Sequence, residues 1–284
     1  MSTYCRMQCI IVVFGATGLQ GGSVTVHGVT QDVLKPSAKV LESLSAEMVT
    51  ADINDTSTLM KALEGAYAVF AVTGYLETGS SETEIKQDKA IADVAKEAGF
   101  QHLIWSSLPN VTQISRELSQ VYIREIGIPT SFYLPGFFMS ILPGIMFRQL
   151  PPNNDRTLAL PIPADSPMSC LATVEDTGKY VKGILLNCEQ TFGKITYGAM
   201  DYYTLNDITA KTLQPPAQAV HELTQNMLLM GNVSYCGGAD VKDDHVFLVD
   251  ELDNFEGLHA SISCLCRFEV EEAALLCSKG PAGK

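Results

Sequence analysis

The sequence predicts an α/β fold, a doubly wound parallel sheet with a smaller C-terminal lobe, and three observations lead to it. Short apolar runs alternate with amphipathic stretches through the first half of the chain, the order expected of βαβ units on a parallel sheet. The first run, Cys9 to Phe14, is apolar throughout and stops at Gly15, as a strand buried on both faces of a sheet should. Beyond Pro135 the texture changes: Pro143, Pro151, Pro152, Pro161, Pro163 and Pro167 break up a loop-rich stretch. The expected units are therefore residues 1–135 for the sheet domain, 136–262 for the smaller lobe and 263–284 for a loose tail without a clear period.

Taken in order, Ala46 to Ala51 reads as a strand, and Thr56 to Glu64 as a helix capped by Asp55 and stopped by Gly65. Tyr67 to Thr73 is the next strand, and Glu82 to Ala98 is a long amphipathic helix stopped by Gly99. His102 to Ser107 follows as a strand, Arg116 to Ile126 as a helix ended by Gly127 and Pro129, and Thr130 to Leu134 as a further strand. In the smaller lobe, Val174 to Leu186 has helical spacing of Val174, Tyr180, Val181, Ile184 and Leu185, and Thr204 with Asp207 forms a capping box before a short helix.

Composition narrows the function classes. The 284 residues are 46% hydrophobic and 18% charged, against roughly 25% charged in an average domain, so a large core is expected rather than disorder. Lys and Arg number 19 against 32 Asp and Glu, a net charge of -13 that repels phosphate backbones and argues against direct nucleic-acid binding. Ten of the acidic residues lie between Asp240 and Glu272, which reads as a solvated surface. No apolar run approaches the ~20 residues of a membrane span, and the one near the N-terminus is too short for a signal-peptide core. The eight cysteines include no CxxC pair and read as reduced thiols, with no metal site expected. A cytoplasmic protein is the expectation, with the nucleus as a second compartment.

The chemistry is concentrated in one loop. Gly15, Gly18 and Gly21, with Ala16, Thr17, Leu19 and Gln20 between them, follow the first strand at the spacing that lets a backbone turn tightly and present N–H groups to a pyrophosphate. That context predicts a Rossmann-like dinucleotide site. Yet a crossover between parallel strands needs roughly 10 to 12 residues including its helix, and the next strand-like run, Thr25 to Thr30, begins four residues after Gly21. Either the crossover helix is a stub, or residues 22–30 form the helix and the second strand is lost or replaced.

Four segments then carry a resemblance to the NmrA-like family, atypical members of the short-chain dehydrogenase/reductase superfamily, and to its fungal branch. They are Val13 to Ser23; Glu84 to Gln87 with the helix leading to His102–Ser107; Leu134 to Met139; and Asp201 to Thr204. The resemblance implies that Gly15 to Gln20 hold the pyrophosphate, that Gln31, Asp32 and Lys35 form the turn after the second strand, and that Asp52 and Ile53 lie on the adenine side. It implies that Thr73, Gly74 and Tyr75 lie beside the nicotinamide ribose, that Lys86 matches a family lysine, and that Phe137, Phe138, Met139 and Ser140 form a cofactor-side loop. Gln31 stands where family members commonly place an Arg against a 2′-phosphate, and Lys35 is the cation that can substitute. NADP(H) is thus expected ahead of NAD(H). The chain is shorter than the family pattern beside the glycine loop and again between Trp105 and Tyr122, where it lacks the family's lysine.

Two functions follow from the resemblance. The first is hydride transfer between NADP(H) or NAD(H) and a small, mostly apolar metabolite. The second is a non-catalytic redox sensor that regulates a partner protein such as a transcription factor. No catalytic residue is assigned: the superfamily's Tyr-x-x-x-Lys pair is absent, because the fourth residue after Tyr122 is Ile126. Tyr122 and His102 read as structural, and Ser106 and Ser107 as pocket-lining residues.

Overall fold

Seven strands form one parallel sheet, and the order in which they lie places the glycine loop. The structure, a computed structural model, describes residues 10–24, 27–73, 80–107, 116–141, 147–150, 155–158, 163–212 and 241–248. In chain order the elements are β1 (Ile11–Val13), β2 (His27–Thr30), α1 (Pro36–Ser43), β3 (Glu47–Thr50), α2 (Thr56–Ala62), β4 (Ala68–Ala71), α3 (Ser81–Glu97) and β5 (His102–Ser106). They continue with α4 (Arg116–Glu125), β6 (Thr130–Pro135), β7 (Phe137–Phe138), β8 (Phe147–Leu150), β9 (Asp155–Leu158), β10 (Met168–Leu171), α5 (Thr173–Leu186) and α6 (Cys188–Thr191). The last are β11 (Ile195–Gly198), β12 (Asp201–Tyr203), α7 (Leu205–Thr212) and a 3-10 helix, Val241–Phe247.

The large sheet runs β11-β6-β5-β4-β1-β2-β3, with every neighbouring pair parallel. Chain order reverses between β1 and β4, so the crevice outside their carboxyl ends is the place where an open α/β sheet binds ligands. A three-stranded sheet, β12-β10-β7, and the antiparallel pair β8-β9 stand apart from it.

Most predicted elements are found within a residue or two of their expected ends, for the reasons given. Asp55 caps α2 by accepting from the Ser57 amide at 3.0 Å, and Gly99 and Gly127 adopt φ of 71° and 75° after α3 and α4. The Thr204–Asp207 box is formed in both directions, at 3.0 and 2.9 Å. Between β1 and β2 the stub reading holds. One 3-10 turn, Gly21–Ser23, replaces the crossover helix, and β2 pairs with β1 through Val12–His27 and Val13–Gly28.

Three expectations need correction. Helix α1 was not anticipated, because only Ala38 and Leu41 of its eight residues are buried and its apolar period is faint. Strand β11 was also missed, being only four residues long and alternately half-buried and buried. The helix over residues 173–186, expected in the smaller lobe, lies on the large sheet. Its Tyr180, Val181 and Ile184 pack with Val13, Phe70, Ile104 and Tyr133, and it also rests on the 3-10 turn that stands in for the crossover helix. The opposite face of the sheet is covered by Leu59, Leu63, Ile91, Val94 and Ile123 from α2, α3 and α4.

Strand β11 is an edge, and the 3-10 helix covers its end. Asp244 accepts from the Tyr197 amide at 2.6 Å, while the Ala199 carbonyl meets both the Tyr180 hydroxyl and His245 Nε2 at 2.8 Å. Burial pushes the Tyr180 phenol far above its ordinary range, so it stays neutral, donating to the Ala199 carbonyl and accepting from the Ala199 amide at 3.2 Å.

His102 is a core residue. It is fully buried on β5, its Nε2 lies 2.8 Å from Ser131 Oγ, its ring stacks edge-on against Phe192 at 4.6 Å, and its Nδ1 has no hydrogen-bond partner. Desolvation lowers its pKa to about 4. The unfolded chain therefore binds this proton first, so the stability that neutral His102 protects is complete above about pH 6.5 and drains as pH falls toward 4. The loss should amount to about 3 kcal/mol at most. In urea titrations, His102→Gln should flatten the pH dependence between pH 6.5 and 4. An unchanged slope would mean that the ring is already charged in the fold.

Candidate functional site

The glycine loop turns over the end of β1 against the first residue beyond β4. Gly15 has φ of 65°, and a Cβ there would come within 3.1 Å of the Val72 carbonyl oxygen. The Gly18 amide donates to the Gly15 carbonyl at 2.9 Å and the Gly22 amide to the Gly18 carbonyl at 3.0 Å. Any Cβ on Gly21 would overlap the Gly15 carbonyl, so only glycine closes this turn. Gly28 on β2 has the same constraint from below, since a Cβ would sit 2.8 Å from the Ala16 side chain. Ala16 is fully buried there, while Thr17, Gly18 and Leu19 stand exposed along the crevice.

Beside the loop an open cleft is lined by Phe14, Gly15, Thr17, Val29, Thr30, Gln31, Lys35, Ala51 and Ile53. Five residues named from the sequence (Gly15, Thr17, Gln31, Lys35 and Ile53) therefore meet around one cavity. Phe14, Val29, Thr30 and Ala51 were not singled out, although each stands at or just past a strand end, the position from which sheet residues face a switch-point crevice. Among the described residues lining the cleft, Lys35 is the one that carries a charge.

The two acidic residues assigned to this region serve their own loops. Asp32 Oδ1 accepts from the Leu34 amide at 2.8 Å, and Asp52 Oδ1 from the Asn54 amide at 2.9 Å, so both carboxylates stabilise turns outside the cleft lining. Lys86 is exposed on α3 in an ion pair with Glu82 at 3.1 Å, away from the cleft lining. Thr73 is half-buried just beyond β4, and Gly74 and Tyr75 lie outside the described residues. Phe137 and Phe138 are half-buried and Ser140 is exposed. The Met139 side chain is buried with Met168, Cys170 and Leu205 in a cluster on the three-stranded sheet, which leaves only its backbone for a ligand.

Two polar pairs cross the carboxyl ends of the strands. Ser106 Oγ donates to Gln20 Oε1 at 2.7 Å, and Gln120 Nε2 on α4 donates to Ser107 Oγ at 2.6 Å. Gln120 was not anticipated, yet it lies three residues before buried Ile123 and so on the sheet-facing side of its helix. Tyr122 points elsewhere: it donates to Asp93 on α3 at 2.5 Å, a bond that raises its pKa and makes it a poorer acid. Among the described residues no group of three His, Cys, Asp or Glu is placed to hold a metal ion, and no helix is long and apolar enough to cross a membrane.

Comparison with known proteins agrees with this geometry. The chain is 27% identical over 245 residues to the NmrA-like family domain-containing oxidoreductase FrzB of Cladobotryum sp, covering 72% of each chain. It is 28% identical over 227 residues to the corresponding oxidoreductase cpsB of Aspergillus campestris, covering 66% of this chain and 67% of that one. In fold it is similar to NmrA, a negative transcriptional regulator solved in complex with NAD, with a TM-score of 0.75, 19% identity and coverage of 94% and 98%. It is also similar to the Citrobacter sp. triphenylmethane reductase solved with NADP(H), with a TM-score of 0.63, 16% identity and coverage of 88% and 99%. The model of the NmrA-like family matches residues 7–212, from the first strand through α7, and with that span of sheet, loop and lobe the chain belongs to the NmrA-like family.

Proposed function

We propose that the chain is an NAD(P)(H)-dependent oxidoreductase that passes a hydride between NADP(H), in preference to NAD(H), and a small, mostly apolar metabolite. The observation that carries this reading is the glycine turn at the β1–β4 switch point, which no side chain can enter at Gly21, beside a cleft whose one lining charge is Lys35. The residues present fit a nicotinamide dinucleotide. The loop from Gly15 to Gln20 would receive the pyrophosphate, Ile53 and Ala51 would flank the adenine, and Gln31 and Lys35 would face the 2′-phosphate. With Asp32 turned to its own backbone, no carboxylate among the described residues lines the cleft to repel that phosphate. A bound nicotinamide supplies the hydride, and the protein's part is to orient and polarise the substrate. Half-buried Phe137 and Phe138 suit an apolar substrate wall. The match to oxidoreductases such as FrzB supports the same reading.

A second reading, a redox sensor acting on a partner protein, is favoured by one observation: Tyr122 on α4 is committed to Asp93 and is followed by no lysine at the fourth position. The fold shared with NmrA, described as a negative transcriptional regulator, accords with it.

Calorimetric titration of NAD, NADH, NADP and NADPH should show binding with the phosphorylated pair tighter. Lys35→Ala should weaken NADPH about tenfold, the worth of one exposed charged contact, and leave NADH nearly unchanged. Gln31→Arg should strengthen NADPH more than NADH, and equal effects would place Gln31 away from the phosphate. Binding of none of the four would refute both readings. Offered carbonyl and enone substrates, the protein should oxidise NADPH; cofactor binding with complete inertness toward them would leave the sensor.

A further inference from the structure

The geometry points to Ser106 as a positioning residue that acts on the glycine loop through Gln20, taking over part of the support that the missing crossover helix would have given. The inference rests on the dinucleotide reading above. In a complete βαβ unit the residues after the glycine turn begin a helix, whose packing on the sheet fixes the turn. Here they form a single 3-10 turn, Gly21–Ser23, which has only three residues and no side-chain cap. The loop needs another anchor, and the chain supplies one from two strands away.

Strands β1 and β5 are not neighbours, for β4 lies between them. Two strand spacings of ~4.8 Å separate them. The Gln20 side chain therefore spans the end of β4, across the crevice itself, to reach Ser106 Oγ at 2.7 Å on the last residue of β5. Ser106 is buried, and Gln20 is half-buried. With the amide oxygen taken by the serine, the orientation of the whole amide is fixed, and its NH2 is left to donate. Among the described residues Gln20 makes no other side-chain hydrogen bond. A ligand whose anionic bridge crosses the loop at this point would meet a donor already held in place, so the ordering cost of that side chain falls on folding instead of on binding. This function differs from polarising a substrate, the other role open to a serine at the cofactor-facing edge.

The test compares NADPH with 2′-AMP, which has the adenine, ribose and 2′-phosphate but no phosphate of the pyrophosphate bridge. Ser106→Ala and Gln20→Ala should each weaken NADPH about five- to tenfold, the worth of one neutral hydrogen bond, and the double variant should bind no more weakly than either single. Ser106→Thr, which keeps the hydroxyl, should bind as the unsubstituted chain does. The affinity for 2′-AMP should not move in any of them, and the thermal midpoint of the alanine variants should fall by no more than about a few degrees, the worth of one hydrogen bond. NADPH binding indifferent to Ser106→Ala and Gln20→Ala would overturn the latch alone, and so would an equal loss of 2′-AMP affinity, which a merely structural role predicts. Failure of the unsubstituted chain to bind NADPH would overturn the dinucleotide reading and the latch with it.

Discussion

The structure depends on how little chain joins β1 to β2. Two parallel strands must lie side by side with their ends far apart, and the connection between them has to travel the length of the sheet. Here it does so with one 3-10 turn and no α-helix. Space is saved wherever a side chain can be removed: Gly21 lies on the Gly15 carbonyl, and Gly28 lets Ala16 and Met48 close over β2. The face that the absent helix would have covered is shared between α1 and α5, whose Leu41, Val181 and Ile184 join one cluster with Val13 and Ala16. The turn that could bind an anion and the turn that shortens the chain are thus the same backbone.

That economy explains how the polar groups at the sheet's carboxyl end are used. Asp32 and Asp52 are consumed by their own loops, and Gln20 and Ser106 tie the glycine loop across the crevice. Lys35, at the N-cap of α1, keeps its charge for the cleft. A site with one lysine and a row of neutral groups recognises negative charge and shape better than it moves protons.

Much of this was legible in the residues. The apolar run into Gly15, the Asp55 cap, the stops at Gly99 and Gly127 and the Thr204–Asp207 box are local signals, each with a local physical cause, and each forms as read. The shortage of residues after Gly21 could be found by counting. What escaped depends on tertiary placement. Four residues at β11 have no period long enough to register, and nothing in the spacing of Tyr180, Val181 and Ile184 tells which of two lobes their helix will cover. Lys86 matched by position yet stands in solvent, because helical sequence fixes a face but not what the face meets. The Gln20–Ser106 bond joins residues 86 apart and has no sequence signature.

The two borders of the large sheet differ in character. At β11 the Tyr197 amide is taken by Asp244, and the carbonyl just beyond the strand by Tyr180 and His245, so a foreign strand arriving there finds that donor already engaged. At β3 no hydrogen bond among the described residues covers the outer edge, and the exposed Glu47 carboxylate reaches back toward His27 at 3.4 Å. Among the described residues the two borders are thus protected by different means, the β11 border by hydrogen bonds and the β3 border by the charge of one exposed glutamate. High salt, which screens such a charge, would remove that guard and leave the hydrogen-bonded cover intact.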